Sequence, residues 1–311
     1  MNYDKLKQQQ YFYKVYGLTV KSELKIPELI SIKEDDLSKI DINIIFKDIP
    51  KDVERLNSGS SGYIFKDNEV IYTIKNIASF YIISGEKIFI EKNKEANYED
   101  IKDYLLGNVF SILLIQRGIL ALHGGCVVKK DRAVLVSGES GAGKSTLIAA
   151  LLSKGYKFLI DDLSVIDIDK SMIPRVQPSY PQQNLCEDIM NIFKYKKHDY
   201  IKIKDEIGKY KIPLDKYFFD KAIDLNVMVQ LEIADIEEIL TTEVKGKEKM
   251  DIIFKNIYKN KFLGQLNADR KYFENYMHFV RNTKVYLIKR PKGKICIKEE
   301  VGAIENIINK I

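Results

Sequence analysis

The ten residues SGESGAGKST, 137–146, decide how the chain is read. They contain Gly138-x4-Gly143-Lys144-Ser145, the spacing of a phosphate-binding loop. Chance would place that pattern in roughly one 300-residue chain in a hundred, so its flanks must decide. Upstream, Ala133–Ser137 (AVLVS) is short, apolar and β-branched, as a buried strand should be. Downstream, TLIAALLSKG (146–155) reads as a helix with Gly155 placed to stop it. Strand, glycine loop and helix together favour a phosphate site over a glycine-rich turn that only caps a helix.

The residue types fit that chemistry. Gly138, Gly141 and Gly143 let backbone N–H groups turn inward without a Cβ in the way. Glu139, Ser140, Ala142 and Thr146 complete the cradle, and the helix from Lys144 presents its positive dipole end. Lys144 brings a point charge to the outer phosphates of a nucleotide, with ATP as the expected one. The Ser145 hydroxyl is a candidate ligand for Mg2+.

A second apolar run supplies acids. FLIDD (158–162) ends a strand in Asp161 and Asp162, downstream of the glycine-loop helix, where a magnesium-holding acid belongs. One of the two could serve magnesium while the other accepts a proton from an incoming hydroxyl. A plain surface acid or helix cap is the alternative for whichever of the two is not the base. His123, in ALHGG (121–125), ends another apolar strand beside two glycines, where backbone can come close to a ligand. Taken alone it also reads as a core histidine.

The rest of the 311 residues bounds the answer. Hydrophobic content of 45% and charge of 30% are those of a soluble globular protein with a real core. The net charge of +6 is too small and scattered to argue for nucleic acid. Cys126, Cys186 and Cys296 have neither metal nor disulfide spacing, which points to a reducing compartment. The N-terminus lacks a secretory h-region, and VFSILLIQRGILAL is interrupted and too short to span a bilayer. A cytoplasmic protein without membrane or nucleic-acid partners is expected, with homo-oligomerisation left open.

Residues 1–96 alternate strand-like runs (DINIIF, EVIYTI, SFYIIS, KIFIEK) with turns such as NSGSSG (57–62), the pattern of a β-rich domain. In 97–118, Ile101, Leu105, Val109 and Ile112 keep helical spacing behind Glu99 and Asp100, giving a linking helix. Residues 119–311 read as α/β and carry the motifs. Within them, 190–221 are rich in lysine and aromatic residues, either a solvated face or a dock for an acidic partner. KVYLIKRPKGKICIKEE reads as a hairpin or strand pair before a short helix.

The combination LHGGCV, LVSGESGAGKST and GYKFLIDDLSVI resembles the catalytic domain of the HPr kinase/phosphorylase family over about residues 119–290. The resemblance implies that Lys144 and Ser145 bind phosphates and magnesium, that His123 supports the site, and that Asp162 is the base for a serine hydroxyl. Two departures qualify it. That family has an acid directly after the loop serine, where this chain has Thr146. Its EIRGLG segment, tied to phosphorolysis, is replaced by VQPSYPQQNLCED (176–188), so phosphorylase activity and HPr as the substrate are not expected. YGLTVKSELKIPEL, YLLGNVFSILLIQRGILALHGG, QPSYPQQNL and VYLIKRP are similar to HPr-kinase-like proteins that tailor ribosomal peptides, among them kinases of the C-terminal serine of lasso-peptide precursors. This implies an HPr-kinase-type α/β fold with a mixed sheet, preceded by a smaller β-rich domain. It also implies an ATP- and Mg2+-dependent serine kinase for a peptide or small protein. Glu187 and Asp188 are further candidates for the metal. The alternatives are a kinase for a small-molecule hydroxyl and a nucleotide-binding switch that transfers nothing.

Overall fold

The computed structural model describes residues 9–37, 39–50, 53, 56, 60–168, 172–203, 208–266 and 270–310. The chain divides into two compact units: Met1–Leu120 with Lys259–Glu274, and Ala121–Tyr258 with Asn275–Ile311. Each is a mixture of helix and sheet.

The described residues of the first unit form an eight-stranded mixed sheet. Leu18–Ser22, Ile42–Phe46 and Lys87–Lys92 run parallel at its centre, and antiparallel strands flank them on both sides. The runs EVIYTI and KIFIEK are strands over their whole quoted lengths. Residues 57–59 of the expected turn NSGSSG lie outside the described residues. The helical segment begins at Asn97, whose side chain accepts from the Asp100 N–H at 2.7 Å and satisfies one of the orphan donors. Its apolar stripe is fully covered: Ile101, Leu105, Val109 and Ile112 are all buried. It is not one uninterrupted α-helix, however. Tyr98–Tyr104 and Phe110–Gln116 are α-helical, and Leu105–Val109 between them winds as a π turn around Gly107. Hydrophobic spacing could not show this, because a π turn shifts the register by a single residue.

In the second unit the described strands form a nine-stranded mixed sheet and a separate three-stranded one. At the middle of the large sheet, Leu120–Lys129 pairs antiparallel with Arg132–Gly138. Arg132–Gly138 runs parallel to Val227–Ala234, which runs parallel to Lys284–Pro291. The small sheet is antiparallel, with Lys209–Pro213 between Gln182–Cys186 and Ile201–Lys202.

The helix Lys144–Ser153 lies in the core of this unit. Leu147 through Leu152 are all buried, against Val134 and Val136 of the large sheet, Leu185 and Tyr210 of the small one, and Ile304 of the C-terminal helix. A helix apolar on all sides is a helix covered on all sides. Truncating such a leucine costs roughly 2–5 kcal/mol, so the loop at its N-terminus has a rigid mount.

The C-terminal reading needs correction. VYLIKRP is part of a single strand, Lys284–Pro291, whose antiparallel partner is the distant Leu240–Val244 rather than the residues that follow it. KICIKEE opens the helix Ile297–Asn309. The alternation in KICIKEE imitates a strand, but Gly293 at φ +74° turns the chain out of the sheet first.

Candidate active site

Gly138 ends its strand, Glu139–Gly143 form the loop, and Lys144, Ser145 and Thr146 open the helix. Gly141 and Gly143 have φ of +83° and +103°, where a Cβ would be strained. Among the described residues no side chain caps this helix, so its first N–H groups keep their donors for a ligand. The Lys144 ammonium bends back over the loop and donates to the carbonyls of Gly138 (2.8 Å) and Glu139 (3.2 Å). Burial lowers its pKa, while Asp162 and Asp161 act in the opposite direction.

The two acids face different surroundings. Asp161 is partly buried: its Oδ2 accepts from the Asn184 N–H at 2.9 Å, and its Oδ1 is covered and has no hydrogen bond. Burial pushes its pKa up to about 7, against the lowering effect of the Asn184 N–H. Asp162 is half exposed, with Oδ1 3.4 Å from Nδ1 of His123. Burial lowers the His123 pKa more than Asp162 raises it, which favours the neutral imidazole at neutral pH. The structure therefore brings His123, Lys144, Asp161 and Asp162 into one electrostatic neighbourhood.

The glycines after His123 serve neighbouring strands, which corrects the expectation that they admit a ligand. A Cβ on Gly124 would stand 2.6 Å from the Val136 carbonyl oxygen, and one on Gly125 2.5 Å from that of Asp161. Gly124 N–H donates to the Asp162 carbonyl at 2.9 Å, and the His123 N–H donates to that of Asn256 at 2.7 Å. The HGG run thus lets three backbones crowd together and fixes His123 beside Asp162.

Magnesium bound with a nucleotide needs few protein ligands. This agrees with the absence, among the described residues, of any group of three His, Cys, Asp or Glu able to hold a metal. Asp161 Oδ1, buried without a hydrogen bond, is the hard oxygen in this region that is a candidate for such an ion, and Ser145 at the start of the helix is the other candidate. Glu187 is partly exposed and paired with Lys197 at 2.9 Å. Burying an ionised Asp161 without a cation has a consequence for stability. Its folded pKa lies above its ordinary value, so its contribution is favourable at low pH and is lost as pH rises from about 4 through about 7. Asp161→Asn is expected to leave the melting temperature of the metal-free protein unchanged at pH 4 and to raise it at pH 8. At about 1.4 kcal/mol per unit, the gain is on the order of 3–4 kcal/mol. A gap independent of pH would contradict this.

Sequence reasoning missed four residues of this region. Gln183 Nε2 donates to the Ser145 carbonyl at 3.1 Å, and the Asn184 N–H holds Asp161, so the QPSYPQQNL segment braces both metal candidates. Lys209 sits opposite Cys186 on the adjacent strand and is close enough to act on His123, Lys144 and Asp161. In the sequence it is one lysine of the lysine-rich 190–221 stretch, with nothing local to set it apart. Arg290 donates to loop carbonyls from a distant strand. A cavity of about 510 Å³ opens beside the loop, lined by Glu139, Ser140, Gln230, Glu232 and Asn256 among others, and the Asn256 carbonyl accepts the His123 N–H.

No family model matches the chain. The putative HPr kinase/phosphorylase 2 of Oceanobacillus iheyensis is 40% identical over 47 residues. The chain is similar to HPr kinase/phosphorylase there. That match covers 15% of this chain and 15% of the relative's own length. The HPr(Ser) kinase/phosphatase structure from Coxiella burnetii aligns over 61% of this chain and 97% of its own, with 14% identity and a TM-score of 0.33, a loose likeness. Among the described residues no helix is long and apolar enough to cross a membrane.

Proposed function

We propose that this protein is an ATP-dependent serine kinase whose acceptor is a peptide or small protein, in an HPr-kinase-type catalytic fold. The observation that carries the reading is Asp162, half exposed and 3.4 Å from the partly exposed His123, beside an uncapped glycine loop. A proton acceptor open to solvent suits a hydroxyl on a flexible chain end. The C-terminal serine of a lasso-peptide precursor, the acceptor the resemblance implies, has that form. The cavity beside the loop is lined by neither Asp162 nor His123.

In this reading the loop N–H groups and Lys144 hold the nucleotide's phosphates, and Asp162 takes the serine proton as the oxygen bonds to the γ-phosphorus. The bond from that phosphorus to the β-bridging oxygen breaks, leaving ADP. His123 orients Asp162. Asp161 and Ser145 would hold Mg2+, which when bound neutralises phosphate charge. Lys209 adds a third positive charge nearby.

For the acceptor, Lys196 and Lys202 are exposed and Lys197 is engaged with Glu187. Lys211 is buried, and Lys204 lies outside the described residues. An acidic peptide ending in serine should gain phosphate, read by mass spectrometry, with a KM that rises with salt and on neutralising Lys196 and Lys202. Faster turnover of free serine or a sugar would replace this reading with the small-molecule kinase. Nucleotide binding without phosphate on any acceptor would replace it with the switch.

A further inference from the structure

A phosphate-binding loop works only if its peptide planes are turned the right way, and this fold holds two of them from outside. Arg290 lies on Lys284–Pro291, two strands away from the strand that feeds the loop. Its Nε donates to the Ala142 carbonyl at 3.1 Å, and its second terminal nitrogen to the Gly141 carbonyl at 3.4 Å. In a trans peptide the N–H points opposite to the C=O. Holding the Ala142 carbonyl outward therefore holds the Gly143 N–H inward, toward the place where a phosphate would lie. A Cβ on Gly143 would stand 3.7 Å from the guanidinium, which places Arg290 beside that peptide.

Arg290 is itself held. Its other terminal nitrogen donates to the Lys294 carbonyl at 3.4 Å, and the Glu300 carboxylate lies 3.6 Å from Nε. Glu300 belongs to the C-terminal helix and is 4% exposed, and its Oε1 makes no hydrogen bond. A buried carboxylate left short of partners is costly to keep for stability alone.

We propose that Arg290 is a positioning residue of the phosphate-binding loop, set in place by Glu300, so that the C-terminal helix helps to determine nucleotide affinity. The inference rests on the loop binding a nucleotide, as the proposed function requires. Neither residue touches the phosphates. The fork of the guanidinium reaches two carbonyls at once, which a lysine's point charge cannot reproduce in the same geometry.

The test uses calorimetry with Mg-ATP and thermal melts of the full chain at pH 8. Arg290→Met would strand a buried Glu300, so the double variant Arg290→Met/Glu300→Gln keeps the test clear of misfolding. The double variant should bind Mg-ATP about 10- to 100-fold more weakly, with its ligand-free melting temperature near that of the wild type. Arg290→Lys should recover only part of the affinity. Glu300→Gln alone should weaken binding severalfold while its ligand-free melting temperature stays level or rises, whereas a purely structural role would lower affinity and stability together. Wild-type affinity in the double variant overturns the inference. A wild-type protein that binds no nucleotide overturns the proposed function instead, so the two failures are distinguishable.

Discussion

Asp162→Asn is expected to bind Mg-ATP as the wild type does and to transfer phosphate 10²–10⁴-fold more slowly, the range typical of losing a general base. Asparagine keeps the shape of the carboxylate but cannot take a proton at neutral pH. The position is half exposed, and its backbone carbonyl still receives the Gly124 N–H, so the fold should tolerate the change. Asp161→Asn should behave differently. That substitution removes the carboxylate whose buried Oδ1 makes no hydrogen bond, so the dependence of the rate on Mg2+ should shift. Calorimetry and single-turnover transfer, run on both variants, separate the two roles. Unchanged transfer in Asp162→Asn would move the proton to Asp161 or to solvent.

The candidates for these two roles were legible in the sequence because each rests on neighbours in the chain. The glycine loop is set by spacing within ten residues, and FLIDD announces acids at a strand end. What spacing left open was which acid faces which way. Burial of Asp161 by Asn184 and exposure of Asp162 beside His123 decide that, and both partners come from other parts of the chain. The HGG run was visible but misread, since the bodies that crowd its glycines are neighbouring strands. Gln183, Lys209, Arg290 and Glu300 carried no local signal of a site. They reach it through strand pairings and a helix packing that span from tens to well over a hundred residues, a scale on which periodicity says nothing. The π turn at Leu105–Val109 was hidden for the opposite reason, being too small a departure from helical spacing to register.

Lys144→Ala should have the largest effect: no measurable turnover and Mg-ATP binding weaker by at least tenfold. The ammonium donates to carbonyls of its own loop, 2.8 Å from Gly138 and 3.2 Å from Glu139, so it is already at the cradle. A unit charge about 4 Å from a phosphate is worth about 4 kcal/mol at an effective dielectric of about 20, and partial solvent exposure reduces that. Without it, Asp161 and Asp162 would face the phosphates with less positive charge to offset them, and the rate would suffer more than the affinity. Stability gives an independent check. Burial already lowers the Lys144 pKa, so the folded protein gains little from the ammonium, and the ligand-free melting temperature should stay within a few degrees of the wild type. The rise in melting temperature that Mg-ATP gives the wild type should be lost. A variant that keeps that rise, with turnover near wild type, would remove the phosphate-loop reading and everything built on it.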